Sequence, residues 1–284
     1  MNPDSLPMTI RERTASTLVR TLIVTVFGCL AMAESQAAES PACSRTLTVG
    51  YYDAGAFYDP STDAGIDRDV MEEIGRRTGC KFSGKFLSRG LIFLAFEQGK
   101  LDVVTSAIPT PERLKFGAAS PFFWVRNELI TKKDHDVHDS PEAFLADSKL
   151  RLGVINRYLY GAGWDEWIDA LRKQGRVEVV GDTHQLMRLL DAGRIDAFPA
   201  VPLGSGTYVR LYGDQPSLRR FAWFTNAPAN PGGLLLSLKT LDEPTRAAIR
   251  QALQEMKNDG SLMAIFLKYV NDRKTAETML VPSK

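Results

Sequence analysis

The chain alternates short apolar runs with longer segments in which apolar residues recur at helical spacing. In "GIDRDVMEEIGRRTG", Ile66, Val70 and Ile74 recur every four residues, and Gly79 follows as a helix stop. One β-rich run, "TLTVGYY", precedes this helix, and another, "KFSGKFL", follows it. A second predicted helix, "LIFLAFEQG", ends at Gly99 and leads into the run "KLDVVTSA". Strands that alternate with helices in this way predict a parallel sheet with helices on both faces.

The same order of elements recurs in the second half of the chain. The runs "KLRLGVI", "RVEVVG" and "RIDAFPA" are predicted strands, and "GAGWDEWIDALRKQG" is a predicted helix between the first two. The helix "THQLMRLLDAG" has Thr183 as its predicted N-cap and Gly193 as its stop. The stretches "GKLDVV" and "GRIDAF" share a glycine, a basic residue, an aliphatic residue and an aspartate before a strand. We interpret this repetition as two lobes built on one plan.

Two segments connect the predicted lobes, "PFFWVRNELITKK" on the way out and "WFTNAPANPGGLLLSLK" on the way back. Because the chain returns to its first lobe, the helix "DEPTRAAIRQALQEMKNDG" is expected to pack there. The prediction is an α/β fold of two doubly wound lobes joined by a two-segment hinge. Residues 44–128 plus 228–284 form lobe 1 and residues 129–227 form lobe 2.

The first 37 residues have the pattern of an export signal. Arg11, Arg13 and Arg20 precede the apolar run "TLIVTVFGCLAMA", and "SQA" supplies small residues up to a cleavage site after Ala37. The apolar run is shorter than the ~20 residues that a membrane-spanning helix needs. An uncleaved membrane anchor and a lipoprotein modified at Cys29 are the alternatives. We expect the signal to be cleaved and the protein to leave the cytoplasm.

Cleavage would leave two cysteines in an oxidising compartment, Cys43 and Cys80, each just before a predicted strand. If those strands are parallel neighbours, the two sulfurs are close enough to form a disulfide. Two separate buried thiols are the alternative.

Charge and motifs exclude several classes of function. Lys and Arg number 35 against 34 Asp and Glu, which argues against a nucleic-acid partner because such a partner requires a basic face. His135 and His138 have a spacing that can suit a metal, but no further ligand pattern accompanies them, so no metal site and no cofactor are predicted. No nucleophile elbow, phosphate loop or CxxC motif is present, so no catalytic residue is assigned.

Several stretches together resemble a known family. "GIDRDVMEEIGRRTG", "FEQGKLDVVTSAIPTPERLKFGAASPFF", "LLDAGRIDA" and "RAAIRQALQEMKNDGSLMAIFLKYV" are similar to segments of family 3 extracellular solute-binding proteins, the receptors of polar amino-acid ABC importers. The cysteine placement resembles a branch whose members often have no assigned transporter or ligand. The resemblance implies a periplasmic-binding-protein-like fold, a monomer in the periplasm, a small-molecule carboxylate ligand and an ABC permease as partner.

The stretch "TSAIPTPER" carries the predicted anchor of the ligand. In the family, the arginine that matches Arg113 forms a two-pronged ion pair with a ligand carboxylate, which suits the planar guanidinium. Thr110 is the predicted cap of a short helix that starts at Pro111. Ser106 would offer its hydroxyl, whereas Ile108 replaces the usual Ser or Thr and would offer only its backbone amide. A surface arginine paired with an acid is the alternative for Arg113.

The resemblance also implies other residues around the cleft. Arg89, placed in the loop after the second strand, is a candidate second cation that would favour a diacid, and a solvated loop arginine is its alternative. Tyr52 and Tyr58 are the aromatic candidates. In lobe 2, Arg157 and Tyr158 occupy the predicted helix start that replaces the family's Gly-Thr-Thr-like turn.

Val201 is expected where the family places the aspartate that binds a ligand's α-ammonium. An ammonium group buried against valine would lose its counter-charge. The sequence therefore favours a carboxylate without an amine, unless the register in this segment differs by a few residues.

Two other functions share this predicted fold. A periplasmic dehydratase of the cyclohexadienyl type would use Glu128 or Asp53 to transfer protons. An accessory or sensor module would dock on a membrane protein or dehydrogenase partner. The receptor function is preferred, and closure of the hinge on the ligand is its predicted mechanism.

Overall fold

The computed structural model describes residues 43–201, 217–270 and 272–282. The predicted export signal, its cleavage site and Cys29 lie outside the described residues. Within the described ranges, no helix is both long and apolar enough to cross a membrane.

The first sheet has five strands in the order β2-β1-β3-β10-β4. β1 is parallel to β2 and β3, whereas β10 is antiparallel to β3 and β4. Its strands are β1 (Leu47–Tyr51), β2 (Phe82–Phe86), β3 (Val103–Ala107), β4 (Gly117–Val125) and β10 (Asn230–Ser237). The helices on this side are α1 (Ile66–Thr78), α2 (Arg89–Glu97), α3 (Pro111–Leu114), α7 (Glu243–Asn258), α8 (Ser261–Tyr269) and α9 (Arg273–Leu280).

Within the described ranges, the second sheet has five strands in the order β7-β6-β8-β5-β9. β6 is parallel to β7 and β8, and β5 is antiparallel to β8 and β9. Its strands are β5 (Glu128–Lys132), β6 (Leu152–Ile155), β7 (Val177–Val180), β8 (Ala197–Ala200) and β9 (Leu218–Phe221). Its helices are α4 (Pro141–Ala146), α5 (Trp164–Lys173) and α6 (Thr183–Asp191).

Two mixed α/β sheets with helices confirm the predicted two-lobed fold class. The chain passes from β4 to β5 and returns from β9 to β10, as a two-segment hinge requires. The lobe limits at residues 128/129 and 227/228 stay predictions. Helix α7 packs on the first lobe as expected, because its residues Ile249, Leu253 and Met256 are buried in the core of that lobe.

The predicted pairing of the two cysteines is confirmed. β1 and β2 are parallel neighbours with Leu47 opposite Phe82, and Cys43 is bonded to Cys80 just before them. The disulfide therefore fixes the beginning of the chain's first strand to the edge strand of the same sheet.

The start of α2 differs from its prediction. The helix begins at Arg89, so the placement of that residue in a loop is wrong. Ser88 is extended and acts as the N-cap residue, and its carbonyl accepts from the Ile92 amide at 3.0 Å, so the helix starts two residues before the predicted apolar run.

The start of α6 also differs by one residue. The N-cap is Asp182, not Thr183, because the Asp182 carboxylate accepts from the Gln185 amide at 2.8 Å.

Candidate functional site

A pocket lies in the cleft between the two sheets, at the carboxyl ends of strands from both. This is the place where open α/β sheets bind ligands. Its first-lobe wall follows β1 and β3, and its second-lobe wall follows β6 and β8 and includes the start of α6. The lining residues are Tyr52, Asp53, Ala54, Gly55, Phe57, Ser106, Ile108, Phe123, Val125, Ile155, Tyr158, Tyr160, Thr183, Leu186, Pro199, Ala200 and Val201.

The predicted site residues divide between the pocket wall and its surroundings. The wall includes Tyr52, Ser106, Ile108, Tyr158 and Val201. The other four, Tyr58, Arg89, Arg113 and Arg157, are not among its lining residues.

Arg113 lies at the edge of the cleft, where a helix cap, a ring contact and two hydrogen bonds hold it. The Thr110 hydroxyl accepts from the Arg113 amide at 3.3 Å and caps α3, as predicted. The Arg113 guanidinium lies 3.8 Å from the centroid of the Phe93 ring. One Nη donates to the Ile108 carbonyl at 2.8 Å, and the other donates to the Arg157 carbonyl at 3.2 Å. Arg113 therefore contacts both the pocket wall and the second lobe.

The charge of Arg113 is poorly compensated. Burial, together with the neighbouring positive charge of Arg89, lowers the pKa of Arg113 to about 9. Among the described residues, neither arginine has a carboxylate within 4 Å. An anion placed beside Arg113 would relieve this unfavourable environment.

Arg89 is almost fully buried, with 2% of its surface exposed. Its guanidinium carbon lies 3.9 Å from the ring centroid of Tyr52, 4.9 Å from that of Phe93 and 5.2 Å from that of Tyr158. Both Nη atoms face the Ser106 carbonyl at 3.5 Å. The ring faces therefore surround the cation.

Ser106 connects the pocket to a buried carboxylate. Its hydroxyl donates to Asp67 at 2.7 Å, and its carbonyl accepts from the Tyr52 hydroxyl at 3.0 Å. Its φ of 47° is in the left-handed region, which is unusual for a serine and is held here by those bonds. Burial raises the pKa of Asp67 to about 7, although the Ser106 hydrogen bond and the charge of Arg89 act in the opposite direction.

The second-lobe turn corrects the prediction of a helix start at Arg157 and Tyr158. Arg157 has a φ of 58°, and α5 begins only at Trp164. The Asp165 carboxylate accepts from the amides of Tyr160 and Gly161 at 2.9 Å, so the intervening residues form a loop.

The side chains of this turn diverge. The half-exposed Arg157 guanidinium points to Glu97 at 3.7 Å, and the Tyr158 ring packs on Tyr160 with centroids 4.7 Å apart. Burial raises the pKa of both tyrosines, which keeps their hydroxyls neutral.

Tyr58 lies in the first-lobe core. Its ring stacks on Tyr51 with centroids 4.7 Å apart, and its hydroxyl donates to Asp63 at 2.9 Å. The neighbouring Phe57 packs in the core, with its ring 4.2 Å from that of Phe123, and also lines the pocket.

Sequence reasoning missed Phe93 and Asp67. Phe93 has the helical spacing typical of a core residue, and no local signal separates a ring that packs on a guanidinium from one that packs on leucine. Asp67 is an acid in the first turn of a helix, a position that is usually exposed, and its burial beside Ser106 depends on tertiary contacts. Asp53, assigned only to the dehydratase alternative, lies in the pocket wall, and the His184 Nε2 is 3.9 Å from its Oδ2.

No group of three or more candidate metal ligands occurs in the described ranges. His138 instead bonds Asp147 at 3.1 Å.

Comparisons with known proteins agree with this architecture. The L-cystine-binding protein TcyA of Bacillus subtilis (strain 168) is 24% identical over 230 residues, which cover 79% of this chain and 80% of TcyA.

Two solved structures have a similar fold. An ancestral arginine-binding protein bound to arginine superposes with a TM-score of 0.66 at 23% identity, covering 79% of this chain and 98% of that one. EhuB in complex with hydroxyectoine superposes with a TM-score of 0.68 at 21% identity, covering 82% and 91%. Residues 47–272 match the family described as bacterial extracellular solute-binding proteins, family 3. The chain belongs to this family of solute-binding proteins.

Proposed function

We propose that this protein is an exported receptor that closes on a small carboxylate-bearing ligand and delivers it to an ABC importer. The observation that carries the proposal is the Arg113 guanidinium at the edge of the cleft, which has no carboxylate within ion-pair distance in the described part of the chain. A buried charge without a counter-ion is costly, and a ligand carboxylate would supply that counter-ion.

Arg113 is the proposed anchor for the carboxylate. Two of its N–H groups bond backbone carbonyls, and a guanidinium has five, so further donors remain for a ligand. Its partner carbonyl at Ile108 belongs to the pocket wall, and Ser106 and Tyr52 line the same wall. We expect the carboxylate to lie between Arg113 and this part of the wall.

Closure is the proposed mechanism. The pocket takes walls from both sheets, so each lobe alone provides only part of the contacts. A ligand that contacts both walls has higher affinity for the closed state and shifts the population toward it. The closed shape would then be recognised by the permease.

The proposed ligand is an organic acid without an amine. Val201 lines the pocket, and its neighbours Pro199 and Ala200 are also apolar. Among the described lining residues of that wall there is no carboxylate, so an ammonium group placed there would have no counter-charge from them. An amino acid is the second candidate, because Asp53 offers a carboxylate from the opposite wall and the relative TcyA is an L-cystine-binding protein.

A thermal-shift screen of the mature protein against amino acids, keto acids, dicarboxylates and aromatic acids tests the proposal. A ligand at 100 times its Kd adds roughly 2.7 kcal/mol of stability, which a Tm measurement detects. Including a prephenate-like acid and assaying for its product separates the receptor from the dehydratase.

The variant Arg113→Ala should abolish stabilisation by the ligand that the screen identifies. The matched control is Arg76→Ala, which removes an exposed arginine of α1 that pairs with Glu73 and is not among the lining residues of the pocket. Unchanged affinity in Arg113→Ala would refute the assignment of the anchor. Stabilisation by α-amino acids alone would refute the amine-free ligand and retain the receptor.

A further inference from the structure

The surroundings of Arg89 form an aromatic cage that is already filled. Three rings, Tyr52, Phe93 and Tyr158, surround its guanidinium carbon at 3.9 to 5.2 Å. Tyr52 follows β1 and Phe93 lies on α2, whereas Tyr158 follows β6 of the second sheet. The cage is therefore completed only when the two lobes meet, and the cation inside it belongs to the protein itself.

The contacts of Arg89 show that the rings are its principal partners. Both Nη atoms approach the Ser106 carbonyl only at 3.5 Å, the outer limit of a hydrogen bond. The buried Nε has no hydrogen-bond partner among the described residues. Aromatic faces attract a desolvated cation, and planar guanidinium suits them by stacking. The same geometry would suit a guanidinium carried by a small molecule.

A second cation lies against the same cage. The guanidinium of Arg113 packs on Phe93 at 3.8 Å, and the charge of Arg89 contributes to the lowered pKa of Arg113. A cationic ligand group near this cage would add a third positive charge. Both the filled cage and the two neighbouring cations therefore oppose a cationic ligand group at this position.

We propose that Arg89 is a specificity-determining residue: its guanidinium occupies an aromatic cage that would otherwise accept a guanidinium-bearing ligand. The wild-type cleft thus excludes cationic side chains because the protein supplies its own. This role differs from that of a direct contact to a ligand anion, for which Arg89 would have to face the pocket. It does not depend on the carboxylate site, since Arg113 is a separate residue that the Arg89 variants leave in the sequence.

The test is chemical rescue of Arg89→Ala by methylguanidinium, read as Tm at constant ionic strength. Methylammonium is the matched probe, because it has the same charge without the planar group. We expect a saturable rise in Tm with methylguanidinium for Arg89→Ala, a smaller response to methylammonium and no response in the wild type. Equal behaviour of the wild type and Arg89→Ala toward methylguanidinium would overturn the proposal.

Two further variants separate the cage from general loss of packing. Arg89→Met fills the volume without charge and should not respond to methylguanidinium. The double variant Arg89→Ala, Tyr158→Ala removes one wall and should bind methylguanidinium roughly tenfold more weakly than Arg89→Ala. Full rescue without the Tyr158 ring would contradict a cage that spans both lobes.

A second measurement applies if Arg89→Ala is insoluble. Refolding yield with and without methylguanidinium then replaces Tm, and a yield that methylguanidinium does not raise counts against the proposal. A carboxylate screen on the same variant distinguishes the two ideas. Retained carboxylate binding with methylguanidinium rescue supports the cage, whereas lost carboxylate binding without rescue assigns Arg89 to the ligand anion.

Discussion

The two walls of the cleft differ in chemistry. The first-lobe side carries Asp53, Ser106 and the Arg113 edge, with the buried Asp67 behind Ser106. The second-lobe side is mostly apolar. Its lining residues are Ile155, Tyr158, Tyr160, Thr183, Leu186, Pro199, Ala200 and Val201. For the proposed receptor, this difference assigns selection of the ligand by charge and hydrogen bonding to the first lobe, and its covering from water to the second lobe.

The two lobes also differ in how their cores are held together. The first has the Cys43–Cys80 disulfide, and the second has three of the chain's four tryptophans in one cluster with Phe144. Trp164 and Trp223 stack with centroids 6.1 Å apart, and Trp167 meets Trp223 edge-on at 5.4 Å. Removing the disulfide therefore perturbs the first lobe, whereas tryptophan fluorescence reports mainly on the second lobe.

The largest expected effect concerns Asp67 on the first-lobe side. Its pKa is about 7 in the folded protein against 3.8 as an ordinary value, so the folded state binds the extra proton between those pH values. The free energy of unfolding should therefore fall as pH rises from about 4 to about 7, by at most ~4 kcal/mol at 1.36 kcal/mol per pKa unit. Urea denaturation across this range measures the slope.

The variant Asp67→Asn should flatten that slope, because a neutral amide has no proton to lose. Asp169→Asn is the matched control, since Asp169 is exposed on α5 of the second lobe and pairs with Arg172. The same slope in Asp67→Asn and the wild type would show that another group controls the pH dependence.

The next effect is loss of the disulfide. Replacing Cys43 and Cys80 by alanine should lower the free energy of unfolding by about 3 to 4 kcal/mol in the loop-entropy model. Far-UV circular dichroism reports both lobes, whereas tryptophan fluorescence reports mainly the second lobe. We expect the circular-dichroism midpoint in urea to shift more than the fluorescence midpoint. Equal shifts of the two midpoints would show that the lobes unfold as one unit, so the disulfide would not stabilise the first lobe separately from the second.

The sequence predicted the fold better than the site, and the two lobes show why. Helical spacing and the glycine stop at Gly79 depend on local geometry, and the pairing of Cys43 with Cys80 depends on two neighbouring strands. The positions of Arg89 and Tyr158 depend on contacts between segments about 70 residues apart. The N-cap of α6 is Asp182 instead of the expected Thr183. Both residue types cap helices well, and the choice between them depends on which residue has the extended backbone conformation.

The smallest expected effect is on the second-lobe wall. Val201→Asp would place a carboxylate on the apolar side and give an ammonium group a partner, so binding of α-amino acids should improve by about tenfold, or ~1.4 kcal/mol. Val201→Asn is the matched control, because it has nearly the same shape as the aspartate but no charge. The Tm screen against α-amino acids measures both variants. If Val201→Asp and Val201→Asn show equal Tm shifts with α-amino acids, a charge at position 201 does not contact the ligand. Asp53 on the other wall would then be the candidate partner of the ammonium group. A gain confined to Val201→Asp would show that the apolar second-lobe wall sets the preference for an amine-free acid.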